Sequence, residues 1–153
     1  MKKIASFTIN HDTLTEGIYT SRIDGNIVTY DIRMRKPNNG NYLDTNALHT
    51  VEHLFATYVR NSKYSDNIIY FGPMGCRTGC YFIVRDNISP NDVIQLVKNA
   101  FTFIKDFEGE IPGSKKSECG NYLDHNLEKA KLEGKMMCDI LKDWTVSDLK
   151  YKD

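Results

Sequence analysis

Two rhythms of apolar residues organise the chain. From Ile18 to Ile23 and from Ile27 to Arg35 the side chains alternate, with Asp24-Gly25 between the runs. Alternation with period two predicts strands, and Asp-Gly between them predicts a hairpin. In the second run Val28, Tyr30, Ile32 and Met34 share one face, and Thr29, Asp31, Arg33 and Arg35 share the other. Lys36-Pro37-Asn38-Asn39-Gly40 ends it. Leu48, Val51, Leu54, Phe55, Tyr58 and Val59 then recur at helical spacing, after capping residues at Asp44-Thr45-Asn46. Short strands are expected over Asn67–Phe71 and Gly79–Arg85. A second helix opens at Ser89-Pro90, with Val93, Val97, Ala100, Phe101, Ile104 and Phe107 on its apolar side. A last helix covers about Leu127–Lys142. Hairpin strands with interleaved helices predict an α+β fold, a two-layer sandwich in which helices cover one face of an antiparallel sheet.

The chain has 153 residues, a length that fits one domain and buries a core without disulfide staples. No repeat or long linker divides it, so residues 1–153 are expected to form one catalytic domain. Lys plus Arg number 20, as do Asp plus Glu. That balance argues against a nucleic acid or a charged membrane surface as partner. No apolar run reaches the ~20 residues of a membrane span, and the amino-terminal residues do not read as a signal peptide. A cytoplasmic location is expected, with the four cysteines as thiols.

Candidate chemistry concentrates on the first helix. His49, Glu52 and His53 stand at i, i+3 and i+4 and so share a face. Two imidazoles one turn apart can grip a metal ion, with a carboxylate beside them to move protons. This is the H-x-x-E-H arrangement; the bland reading is a helix face with two partly exposed histidines. Two imidazoles leave an ion under-coordinated. Cys119, in Ser117-Glu118-Cys119-Gly120-Asn121, and Glu128, on the last helix, are both candidates for the third ligand. A second candidate segment is Gly72-Pro73-Met74-Gly75-Cys76-Arg77-Thr78-Gly79. Three glycines and a proline in eight residues predict an unusual turn. Cys76 at that turn is either a buried hairpin thiol or a thiolate favoured by a nearby cation or metal. Cys80 and Cys138 lie in apolar segments and read as core.

These segments together resemble the LuxS family of S-ribosylhomocysteine lyases. The resemblance rests on Leu48–Ala56, Gly72–Gly79 and Glu118–Asp124, with Ser6-Phe7, His11, Asp31-Ile32-Arg33 and Pro37-Asn38 in the same order. It runs from about Ser6 to Leu141. The resemblance implies cleavage of the thioether of S-ribosylhomocysteine to homocysteine and 4,5-dihydroxy-2,3-pentanedione, the precursor of the quorum-sensing signal autoinducer-2. It implies His49, His53 and Cys119 as ligands to one ferrous ion per subunit, which zinc or cobalt can replace. Cys76 and Glu52 would be the acid/base pair, with Ser6, His11 and Arg33 around the ribose, in a homodimer with sites at the subunit interface. The chain departs from the usual pattern at Asn10, Asp12, Cys80 and Tyr70-Phe71-Gly72. Two rival readings keep the metal: a metallopeptidase of the inverted H-x-x-E-H type, with Glu128 as third ligand, and a non-enzymatic metal-binding domain. The first leaves Cys76 and Cys119 without roles.

Overall fold

The computed structural model describes residues 1–152. The hairpin is present as β1 (Gly17–Asp24) and β2 (Ile27–Arg33), with Gly25 in the left-handed region (φ 60°) at the turn. The helix with the histidine pair, α1, spans Thr45–Arg60. β3 (Ile68–Pro73) and β4 (Gly79–Arg85) follow, then α2 (Pro90–Asp106) and α3 (Leu127–Leu141). β3 runs through Gly72-Pro73, where the sequence predicts its end, because Pro73 still pairs with Cys80. All three strand pairs are antiparallel, and the sheet order is β1-β2-β4-β3. The chain is therefore α+β, an open four-stranded sheet with three helices packed against it.

The apolar stripes found by periodicity meet between the layers. Val28, Tyr30 and Ile32 of β2 and Cys80, Phe82 and Val84 of β4 join Val51, Leu54 and Phe55 of α1, Val97 and Phe101 of α2, and Met137 and Leu141 of α3. Ser89 caps α2 by accepting the Asp92 N–H, and Asn126 caps α3 by accepting that of Lys129. Phe55 lies at the centre. It stacks on Phe71 at 3.9 Å and meets Phe82 and Phe101 edge-on at 5.3 and 5.5 Å. Phe55→Ala is expected to cost about 3–5 kcal/mol, since it removes a fully buried ring that rigid neighbours cannot replace. Urea unfolding measures this, and a loss below about 1 kcal/mol would show that the core closes around the gap.

The charged residues of this segment are not solvated. Asp31 and Arg33 of β2, and Arg35 just beyond it, are as buried as their apolar neighbours. Tyr151, near the carboxyl terminus, stacks on Tyr19 at 5.1 Å and donates a 2.7 Å hydrogen bond to Asp31. Burial and the Asp31 charge push the Tyr151 phenol up, so it stays protonated as that donor. Arg35 grips Glu133 of α3 through both of its terminal nitrogens, tying the last helix to the end of the hairpin.

Candidate active site

The helix dictates the first half of the site. Leu48, Val51, Leu54 and Phe55 bury one side of α1, and this leaves His49, Glu52 and His53 half-buried along its margin. Each of the two histidines is then oriented by a main-chain carbonyl from a distant loop. His49 Nδ1 lies 2.8 Å from the Asp124 carbonyl, and His53 Nδ1 lies 2.8 Å from that of Pro112. A carbonyl only accepts, so both Nδ1 atoms carry a proton, and the tautomer this selects is the one whose lone pair is on Nε2. Gly113 is required at the second contact. Its φ is +69°, and a Cβ there would stand 3.2 Å from His53 Nδ1.

Cys119 meets those lone pairs. Its Sγ is 3.4 Å from His49 Nε2 and 4.0 Å from His53 Nε2. Bonds of ~2.3 Å to sulfur and ~2.0 Å to nitrogen at tetrahedral angles would set such atoms ~3.6 Å apart. The donor set thus suits a borderline-soft divalent ion. Ligand atoms of His49, His53, Cys119 and His125 all lie within 4.8 Å of one another. Glu128 is not among them. It stands exposed on the first turn of α3, so the alternative third ligand of the peptidase reading is not where the donors converge.

His125 is the residue that sequence reasoning passed over. Its spacing, six residues after Cys119 and just before α3, was the available signal. It stacks on His49 with ring centroids 3.9 Å apart. Burial, then His49 and His53, push its imidazolium down to about 4, so the ring is neutral at physiological pH.

The second half of the site lies on the turn between β3 and β4. The main-chain bonds Arg77 N–H to Met74 O (3.0 Å) and Met74 N–H to Gly79 O (2.9 Å) close it. Arg77 takes φ 59°, an uncommon conformation for a residue with a Cβ. Gly79 allows the strands to pair here, because a Cβ would stand 2.4 Å from the Ile32 carbonyl oxygen. The turn presents Cys76 exposed. The cation beside the thiol is Arg33, not its sequence neighbour. Arg77 instead reaches the Leu43 carbonyl and lies 5.9 Å from the Tyr42 ring. Arg33 Nη1 is 4.0 Å from Cys76 Sγ and donates to Thr78 Oγ1 at 2.9 Å, while Thr78 Oγ1 is 3.1 Å from the sulfur. Nη2 donates to Asp31 at 2.7 Å. Burial works against the Arg33 charge, but Asp31, Cys76 and Tyr151 outweigh it and hold its pKa above the ordinary value. Asp31, Thr78 and Tyr151 are thus supporting residues that only the contacts reveal. Cys80 is fully buried, and burial raises its thiol well above the ordinary range, so it is core. Cys138 is only half-buried, packed against the core.

Ser6, His11, Arg33 and Cys76 line one cavity of about 380 Å³, with Tyr81. Glu52 and His53 line a separate one of about 400 Å³, walled by Tyr70, Phe71, Pro112 and Gly113. Glu52 Oε1 lies 4.0 Å from His53 Nε2, beside the donor cluster. Cys76 and Glu52 therefore line different cavities of one chain.

Comparison with known proteins agrees with this geometry. The family model described as S-Ribosylhomocysteinase (LuxS) matches residues 4–147. The S-ribosylhomocysteine lyase of Clostridium acetobutylicum is 46% identical over 158 residues, covering 100% of both chains. That of Clostridium beijerinckii is 48% identical over 157 residues, covering 99% of each. That of Porphyromonas gingivalis (strain ATCC 33277) is 48% identical over 159 residues, covering 100% of both. The convergent His/Cys donors, the cation-flanked Cys76 and these full-length matches together place the chain in the LuxS, or S-ribosylhomocysteinase, family.

Proposed function

We propose that this protein is an S-ribosylhomocysteine lyase, with the whole chain as one catalytic domain. The observation that carries the reading is the pair of half-sites: convergent metal donors beside Glu52, and Cys76 flanked by Arg33 and Thr78. A metallopeptidase or a passive metal-binding domain has no use for the second. His49, His53 and Cys119 would hold a divalent ion, ferrous iron with zinc or cobalt able to replace it, which supplies Lewis acidity toward the sugar's carbonyl and hydroxyl oxygens.

The chain's own residues then move protons. The substrate is an aldose whose sulfur sits on C5. A proton leaves C2 and returns to C1, giving a 2-ketose. A second leaves C3 and returns to C2, giving a 3-ketose. Only then does the C4 proton stand beside a carbonyl. Its removal lets the C5–S electron pair depart with homocysteine, and the remaining enol becomes the dione. Each transfer needs a base that gives its proton back. Cys76 as thiolate and Glu52 as carboxylate serve as the two bases. Arg33 and Thr78 hold the Cys76 sulfur, and Ser6 and His11, which share its cavity, bind sugar hydroxyls.

We also propose a homodimer in which the Cys76 cavity of one subunit faces the Glu52 and metal side of the other. What supports this is that the two bases line separate cavities of one chain, whereas one sugar must meet both. Among the described residues no helix is long and apolar enough to cross a membrane.

The deciding experiment incubates iron-loaded protein with S-ribosylhomocysteine and titrates released thiol. One equivalent of homocysteine per substrate is expected. No thiol above background would remove the lyase assignment.

A further inference from the structure

His125 meets the requirements of a ligand by distance but not by direction. An imidazole binds a metal along its Nε2 lone pair, which lies in the ring plane. The His49 and His125 rings are stacked at 3.9 Å and tilted by only 23°. Their lone pairs therefore lie in two separate, nearly parallel planes, and one ion ~2 Å from both nitrogens would lie out of at least one of them. His53 is different, at 86° to His49, so that pair can converge. His49 also shares α1 with His53 and is anchored on a main-chain carbonyl. Of the two stacked rings, it is His49 that takes the ion.

His125 is nonetheless aimed and held. Thr50 Oγ1 donates its single proton to the Asn46 carbonyl at 3.0 Å and accepts the Asn126 N–H at 3.0 Å. The 3.0 Å contact from His125 Nδ1 to that same oxygen must then use the Nδ1 proton. Nε2 is left with a bare lone pair beside the metal donors. Among the described residues its polar neighbour is Cys119 Sγ at 3.9 Å, itself a donor to the ion. We infer that His125 is a further substrate-contacting residue of this centre, an imidazole whose Nε2 accepts a hydrogen bond from a sugar hydroxyl beside the ion, and not a fourth ligand. This rests on the lyase reading above. A fourth protein ligand would close the coordination of a site that has to admit a sugar oxygen.

The test uses Cys76→Ala protein loaded with cobalt, in which turnover is blocked and the visible spectrum reports on the ion. His125→Ala and His125→Gln are added to that background, with circular dichroism as the folding control. The expected result is one bound cobalt per chain and an unaltered spectrum for all three proteins without substrate. Titration with S-ribosylhomocysteine then gives a dissociation constant about tenfold weaker for His125→Ala, the loss of one hydrogen bond of about 1.4 kcal/mol. His125→Gln, which keeps an acceptor, recovers part of it. Loss of cobalt or shifted bands in substrate-free His125→Ala would make His125 a ligand and overturn the inference. So would an unchanged dissociation constant. If the Cys76→Ala parent shows no response to S-ribosylhomocysteine, the lyase reading itself falls and takes the inference with it. A response from the parent with none of the expected difference sinks the inference alone.

Discussion

Cys119→Ala is expected to leave the protein folded but unable to retain its metal, with turnover falling at least ~10³-fold. The sulfur lies where the two α1 imidazoles converge, 3.4 and 4.0 Å from their Nε2 atoms. It belongs to the loop before α3, outside the core, so its loss costs coordination and little packing. Two histidines alone hold an ion weakly, and His125 is turned so that it cannot replace the thiolate. Glu128→Ala is the matched control. That carboxylate is exposed on α3 and outside the donor cluster, so the variant is expected to keep its metal. Metal content after dialysis against a chelator decides between them. Retention in Cys119→Ala with loss in Glu128→Ala would replace the ligand set proposed above with that of the peptidase reading.

Cys76→Ala and Glu52→Gln are each expected to keep metal and fold while losing ~10³-fold in turnover, the range for removal of an acid/base group. Neither residue is in the core, and neither is part of the donor set. The composite-site proposal adds a stronger expectation. Equal amounts of the two inactive proteins, mixed and allowed to exchange subunits, should regain about a quarter of wild-type activity, since half the dimers are hybrids and each hybrid holds one intact site. Such complementation requires that Cys76 and Glu52 of a single site come from different subunits. If the mixture stays as inactive as its parts after exchange has been verified, both bases belong to one chain.

Much of this site is visible in the sequence because its parts are local. His49, Glu52 and His53 share a helix face within one turn, which the 3.6-residue repeat guarantees once Leu48, Val51 and Leu54 define the buried side. The glycines around Cys76 announce an irregular turn for a similarly local reason. The limits are equally instructive. The cation next to Cys76 in sequence, Arg77, points away from it. The one next to it in space, Arg33, comes from a strand 43 positions earlier. The charged face of β2 resembles a solvated one, since nothing between Ile27 and Arg35 shows that Tyr151 and Glu133 will cover it.

Taken alone, then, the sequence determined the elements, the amphipathic faces and the two candidate segments. Each is set by the backbone periodicity of a few consecutive residues. The tertiary structure decided what those segments meet. It gathered Cys119, and not Glu128, beside His49 and His53 and supplied the Asp124 and Pro112 carbonyls that turn those two rings. It stacked His125 beside them and set Cys76 and Glu52 in separate cavities. These contacts join residues 59 to 76 positions apart, and only the packing of loops and α3 against α1 and the sheet brings them together.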